Sequence, residues 1–152
     1  SAFGNCNSLV SIYYDGTVED WCNIEFNNNY SRPNYYAQKV YFRGSLVEEI
    51  NIPSSITKIS DYDFYGFDDV VTVTIPHTVV SIGKYAFAKC SSLKNVTMST
   101  GVTKIDDYAF YYCTSLESIE MAESITSLGG YAFYNCNRTC SSSCLGNVCF
   151  AL

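Results

Sequence analysis

The fold is decided by the stretch VVSIGKYAFAKCSSLKNVTM at residues 79–98, because a near copy, VTKIDDYAFYYCTSLESIEM, follows at residues 102–121. The two copies are offset by 23 residues, so that Phe87 corresponds to Phe110. Apolar positions recur at this period and polar residues lie between them. One coil of this kind cannot bury its apolar side alone, whereas stacked copies form a continuous core. The sequence therefore predicts a solenoid.

The matched columns extend from about residue 47 to residue 136, and we expect them to face the core. In chain order they are Ile56, Val79, Val102 and Ile125; Ile59, Ile82, Ile105 and Leu128; Tyr62, Tyr85, Tyr108 and Tyr131; Phe64, Phe87, Phe110 and Phe133; Phe67, Cys90, Cys113 and Cys136; and Val73, Val96 and Ile119. Asp63 interrupts the column formed by Ala86, Ala109 and Ala132.

The spacing inside one unit predicts its local structure. Residues 93–98 are β-branched and alternate, which favours a short strand that stacks on its copies into a parallel sheet. Residues 102–105 form a second extended piece. Residues 107–113 suggest one helical turn, with Asp106 or Asp107 as its N-cap. The expected fold class is an α/β solenoid of right-handed 23-residue coils, with a short-stranded parallel sheet and one short helical turn per coil.

We expect residues 1–152 to form a single solenoid domain of about five coils. Its parts are a partial repeat at 1–14, an enlarged coil or insert at 15–45, regular repeats at 46–136 and a Cys-rich C-terminal end at 137–152. In the insert, Thr17 and Asp20 fit a capping box that opens a short helix. Arg43 and Gly44 lie between two β-rich segments and suggest a hairpin turn.

The units IPHTVVSIGKYAFAKCSSLKNVTM and VTKIDDYAFYYCTSLESIEM resemble the BspA-like, Treponema-type leucine-rich repeats. The resemblance covers about residues 46–136 and 1–14, and the insert is similar to one found in such surface proteins of gut Firmicutes. It implies a leucine-rich-repeat solenoid that is secreted or at the cell surface of a host-associated microbe. Proteins of this type are similar to adhesins that bind host matrix or other cells. They are not known as enzymes, and no catalytic residues carry over.

Composition and charge exclude several classes of function. The net charge is −6 and no Lys/Arg cluster occurs, so binding to a nucleic-acid backbone has no electrostatic basis. No run of 18 apolar residues is present, and we expect no membrane insertion. The single histidine, His77, cannot anchor a metal site without a second one. We therefore expect no enzyme, cofactor or metal.

The eight cysteines fall into two groups. Cys6, Cys90, Cys113 and Cys136 share one column, and we interpret them as small buried apolar residues rather than as disulfides. The C-terminal group favours a disulfide-stapled end over free thiols, with pairing left open among three possibilities; it consists of Cys136, Cys140, Cys144 and Cys149.

Binding is the expected function, and the partner is a protein or a glycan. The candidate binding face is made of the strand positions that point away from the core: Glu48, Glu49, Asn51, Thr72, Thr74, Lys94, Asn95, Thr97, Glu117, Ser118 and Glu120. The loop around Tyr30–Tyr36 is a second candidate.

The alternative function is a structural subunit that stacks head-to-tail into a filament. The chain begins and ends in mid-repeat, and neither end shows an obvious polar cap, so self-association through the solenoid ends would bury both. Truncation from a longer array is the simpler explanation.

Overall fold

The computed structural model describes residues 3, 5–24, 32–37 and 39–136, whose strands form three sheets. The first sheet contains β1 (Ser11–Tyr14), β2 (Lys39–Phe42) and β3 (Ser45–Leu46). The second contains β4 (Glu49–Asn51), β6 (Thr72–Ile75), β8 (Asn95–Met98) and β10 (Ser118–Glu120). The third contains β5 (Lys58–Ile59), β7 (Ser81–Ile82), β9 (Lys104–Ile105) and β11 (Ser127–Leu128). A helix α1 (Val18–Cys22) and a 3₁₀ turn at Pro33–Tyr35 lie between β1 and β2.

The 23-residue period fixes the register of the second and third sheets. Val73 pairs with Ile50 on one side and with Val96 on the other, and Val96 pairs with Ile119. All of these strand pairs are parallel, as expected when each coil repeats the path of the one before it. The predicted solenoid with parallel sheets is confirmed, and its regular part makes about three turns.

The core is a continuous stack of the predicted columns. Phe64, Phe87 and Phe110 are fully buried, and the ring centroids of successive residues lie 5.2 Å apart with nearly parallel planes. Burying one such side chain contributes about 1.5–3 kcal/mol. Because each ring contacts the rings above and below it, the column also aligns the coils with one another.

The turn that carries the Tyr-x-Phe motif is not helical, so the predicted helical turn at 107–113 and its counterparts are wrong. The N–H groups of Tyr85, Phe87 and Lys89 donate to carbonyls of the following coil at 3.3, 2.8 and 2.7 Å. In an α-helix these groups would donate four residues back along the chain. Tyr85 and Lys89 also have φ of 54° and 60°, which an α-helix excludes. The fold is a β-solenoid rather than an α/β one, and α1 is the single α-helix of the described residues.

Two local predictions for the insert are confirmed. The Thr17 hydroxyl accepts a hydrogen bond from the backbone N–H of Asp20 at 3.1 Å, and the Asp20 carboxylate accepts one from the N–H of Thr17 at 2.8 Å. These bonds form the capping box of α1. Strands β2 and β3 pair in antiparallel orientation around Arg43 and Gly44, whose φ angles of 50° and 81° suit a type I′ hairpin turn.

The insert packs against the first regular coil through two side chains that replace backbone donors. The buried Trp21 indole N–H donates to the Asp63 carbonyl at 2.8 Å, and the Asn34 amide donates to the Tyr65 carbonyl at 3.0 Å. In the next coil the equivalent carbonyls belong to Ala86 and Ala88, and each accepts a backbone N–H from the preceding coil at 2.8 Å. The insert therefore satisfies the carbonyls that a preceding coil would otherwise satisfy.

A buried ion pair completes this contact, which we call the capping junction (Trp21, Arg32, Asn34 and Asp63). The Arg32 guanidinium lies 2.7 Å from the Asp63 carboxylate, and both side chains are buried. Burial raises the pKa of Asp63, and the charge of Arg32 opposes this rise. The expectation that the array lacks a polar cap is therefore wrong for this side of the first regular coil.

Candidate functional site

The candidate binding face lies on one sheet, as the repeat predicts. Cross-strand pairing aligns Glu49, Thr72, Asn95 and Ser118 in one row, and Asn51, Thr74, Thr97 and Glu120 in a second row. Glu48, Lys94 and Glu117 immediately precede their strands. Of the eleven side chains, ten are exposed and Thr72 is half-buried. The structure therefore brings all of them together on the outer surface of β4, β6, β8 and β10.

The polar groups of this face are only lightly bound to one another. The Asn51 amide donates to the Glu49 carboxylate at 3.0 Å, and the Ser118 hydroxyl donates to the Asn95 side-chain carbonyl at 2.7 Å. Lys94 and Glu117 approach within 3.8 Å while both stay half-exposed, so this pair contributes little to stability. Most donors and acceptors of the face therefore remain available to a ligand.

An exposed aromatic pair on the first sheet was missed by the sequence reasoning. Tyr13 occupies in β1 the repeat position that Thr97 occupies in β8, and 75% of it is exposed. Its ring stacks on Tyr41 of β2, with centroids 4.6 Å apart and planes 13° apart. The signal was present, because the partial repeat places Tyr13 between the inward positions Ile12 and Tyr14. The intervening insert concealed the pairing of Tyr13 with Tyr41.

The tyrosine column is not a core column, contrary to the expectation for it. Tyr62, Tyr85 and Tyr108 are half-buried, and their rings stack at 5.0 and 4.7 Å. Burial, together with the neighbouring Tyr85, raises the pKa of Tyr62 to about 12. The sequence pattern concealed this because a phenol places an apolar ring against the stack and a polar hydroxyl at the surface.

Five tyrosines on the last two described coils contact one another and form what we call the tyrosine cluster: Tyr108, Tyr111, Tyr112, Tyr131 and Tyr134. Three of its members are exposed, Tyr112 by 38%, Tyr131 by 63% and Tyr134 by 43%. Large exposed aromatic side chains that are held in place by neighbouring rings are characteristic of binding surfaces.

The loop candidate does not project from the molecule in its described part. Arg32 and Asn34 are buried in the capping junction, and Tyr35 stacks on Tyr65 at 5.2 Å. Tyr30 lies outside the described residues. The function of this segment is therefore to hold the insert on the first coil.

The cysteine column is a ladder of buried thiols, as predicted. Cys90, Cys113 and Cys136 are free, and each Sγ donates to a phenylalanine carbonyl of the preceding coil at 3.1–3.2 Å. Burial raises the pKa of Cys90 and of Cys113 and keeps both thiols protonated at neutral pH. Including Cys136 in a disulfide group was wrong, because its sulfur serves this ladder. Cys140, Cys144 and Cys149 lie outside the described residues.

Two searches of the described residues bear on chemistry and on membranes. No group of three or more His, Cys, Asp or Glu side chains that could hold a metal ion occurs in the part of the chain that the structure describes. The same residues contain no helix that is both long and apolar enough to span a bilayer. His77 is exposed just after β6.

A family model described as a BspA type leucine rich repeat region, with six copies, matches residues 36–147. A search of curated proteins found no match.

Solved structures of leucine-rich-repeat proteins share the fold. One from Bacteroides capillosus is 28% identical, with a TM-score of 0.56 over 62% of this chain and 74% of that one. One from T. pallidum is 24% identical, with a TM-score of 0.52 over 58% of this chain and 54% of that one. One from Bacteroides ovatus is 24% identical, with a TM-score of 0.58 over 89% of this chain and 37% of that one. The chain thus spans about half of the T. pallidum protein.

Proposed function

We propose that this chain, which belongs to the family of BspA-type leucine-rich-repeat proteins, is a non-enzymatic binding module that is secreted or held at a cell surface. It recognises a protein or glycan partner through the outer face of β4, β6, β8 and β10. Host matrix and other cells are the partners that the family resemblance implies.

The observation that carries this proposal is the separation of scaffold from surface within each repeat. Inward positions such as Val73 and Val96 are buried, whereas the intervening outward positions are exposed, polar and different in every coil. A solenoid that keeps its core columns constant can vary its outward rows freely, and such extended surfaces are what repeat proteins use for binding. The buried thiols and the lone exposed His77 offer no comparable arrangement for catalysis.

The test is adhesion of the immobilised chain to cultured cells, to matrix proteins and to a glycan array. We expect the double charge reversal Glu117→Lys/Glu120→Lys to weaken binding at least tenfold, since like charges placed in a complementary interface cost several kcal/mol, and about 1.4 kcal/mol corresponds to a factor of ten.

A matched control carries the same change in charge away from the face, at Glu19→Lys/Glu123→Lys, and both of these side chains are exposed. This control should bind like the unmodified chain. Equal adhesion by both double variants would exclude the sheet face as the binding surface. A turnover screen on glycans and peptides tests the non-enzymatic part, and reproducible turnover would overturn it.

The filament alternative receives no support from the capping junction. Head-to-tail stacking needs an exposed coil face at each end of the array, and the insert covers that face of the first regular coil. Sedimentation velocity separates the two functions, because a binding module sediments as a monomer and a filament subunit does not.

A further inference from the structure

The repeat contains an internal example of cation binding by its surface tyrosines. The Lys89 ammonium lies over the ring of Tyr65, 5.6 Å from the ring centroid, which is within the range of a cation–π interaction. Tyr65 belongs to the preceding coil, so this contact joins two neighbouring coils. The contact arises because Lys89 takes a left-handed φ of 60°, the same as other residues at this position of the turn.

The same position further along the stack has no cation. By the 23-residue period, Tyr111 corresponds to Ala88 and Tyr134 to Tyr111, so Tyr65 and Tyr111 are two coils apart in one column. The residue that stands to Tyr111 as Lys89 stands to Tyr65 is Asn135, which is exposed and has φ of 56°. A neutral amide therefore replaces the ammonium beside the tyrosine cluster.

No other part of these coils supplies a positive charge. The sequence contains no Lys or Arg between Lys104 and Arg138, whereas five carboxylates lie there, at Asp106, Asp107, Glu117, Glu120 and Glu123. Within the described residues, no lysine or arginine lies over the rings of Tyr111, Tyr112 or Tyr134. The cluster is thus an aromatic surface on an acidic segment of an acidic chain, which attracts cations over a distance as well as at contact.

From these observations we propose that the tyrosine cluster binds a basic segment of a protein partner, with an arginine or lysine side chain placed against Tyr111 and Tyr134 as Lys89 is placed against Tyr65. This inference rests on the proposed binding function and names one surface and one class of partner for it. Stacked rings that contact one another lose little freedom on binding, so the surface is already organised for its ligand.

The test measures the affinity of the full chain for a labelled oligo-arginine peptide by fluorescence anisotropy, with an oligo-glutamine peptide and a neutral oligosaccharide as comparison probes. The deciding variant is Asn135→Lys, which supplies the missing ammonium from within the chain, as Lys89 does. We expect it to weaken oligo-arginine binding about tenfold, and Tyr134→Ala to do so about fivefold.

Two controls match these changes. Ser127→Lys adds the same charge at an exposed site on β11, and Tyr13→Ala removes an exposed stacked ring from the first sheet. Both should leave the affinity within about twofold of the unmodified chain. Tyr134→Phe keeps the ring and should retain binding, while circular dichroism confirms that each variant folds.

The outcomes are distinct. Equal weakening by Asn135→Lys and Ser127→Lys would mean simple charge attraction and would overturn the proposal, as would binding of the oligosaccharide alone. Cell or matrix adhesion that is lost in the Glu117/Glu120 variant but unchanged by Asn135→Lys would leave the proposed function standing and refute this inference. Peptide binding that follows the expected pattern in a chain with no adhesion would refute the surface function and support the cluster.

Discussion

The first regular coil and the coils after it meet the same structural requirement by different means. In the interior, the turn carbonyl of Ala86 accepts a backbone N–H from the coil before it, and the small side chain leaves room for close stacking. At the first coil the insert offers no such backbone, and Asp63, Trp21 and Asn34 take over. The difference teaches that Asp63, which seems a defect in the alanine column, is what adapts the first coil to a non-repetitive neighbour.

Placing the residue of the junction in an interior coil gives the largest expected effect. Ala109→Asp would bury a carboxylate at a fully buried position with no guanidinium beside it. We expect a loss of about 5 kcal/mol or more in the free energy of unfolding, because an unpaired buried charge is among the costliest changes. Urea unfolding followed by circular dichroism measures it. Thr114→Asp, an exposed site on the same coil, should change stability by less than about 0.5 kcal/mol.

The reciprocal exchange, Asp63→Ala, makes the first coil match the alanine column and should still destabilise the chain. Removing the carboxylate leaves the buried Arg32 without its counter-charge, at a cost of about 3–5 kcal/mol. The double variant Arg32→Met/Asp63→Ala should recover most of this loss. Unfolding midpoints in urea decide the matter, and an Asp63→Ala chain of unchanged stability would show that the pair is dispensable.

A smaller loss is expected for Asn34→Ala, which removes a donor to the carbonyls of Tyr62 and Tyr65. Leaving buried acceptors unsatisfied costs about 1–3 kcal/mol. Asn23 is the matched control, since its amide also donates to a backbone carbonyl but lies at the surface. Asn23→Ala should change stability by about 0.5 kcal/mol, and equal effects of the two substitutions would contradict the role assigned to Asn34.

The smallest effect concerns alkaline pH. Since the pKa of Tyr62 in the folded chain is raised to about 12, from an ordinary value near 10, its stabilising contribution is complete below pH 10. That contribution is lost as the pH rises from 10 to 12, because the unfolded chain releases the proton first. Tyrosinate absorbance recorded together with circular dichroism should show unfolding in this range. In Tyr62→Phe the transition should shift to higher pH, and an unshifted transition would exclude Tyr62 as a cause.

The repeat period predicted the sheets and the core because stacking follows directly from it. Once Val73 and Val96 are equivalent, their pairing and their burial are determined. The outward rows followed by alternation, so the candidate face could be named residue by residue. The turn was assigned incorrectly because a few residues cannot show whether their N–H groups donate within the coil or to the next one. The left-handed φ of Tyr85 has no signal in its residue type.

The capping junction and the tyrosine cluster could not be predicted, for a different reason. Asp63 was visible as a break in its column, but its partner Arg32 lies 31 residues earlier in a segment with no repeat to align it. The tyrosines were visible as a column, but apolar periodicity does not distinguish a ring in the core from a ring at its edge. In both cases the deciding contact is between coils, and only the assembled stack shows it.

The thiol ladder gives the molecule a set of built-in reporters of its own opening. Each sulfur is shielded by the packing of adjacent coils and donates across the boundary between them, so a reagent can reach Cys90 or Cys113 only while those coils are apart. The rate at which each thiol is alkylated in the folded chain therefore measures how often one particular boundary breathes. A stack that carries a thiol at successive boundaries can be read coil by coil without attaching any label.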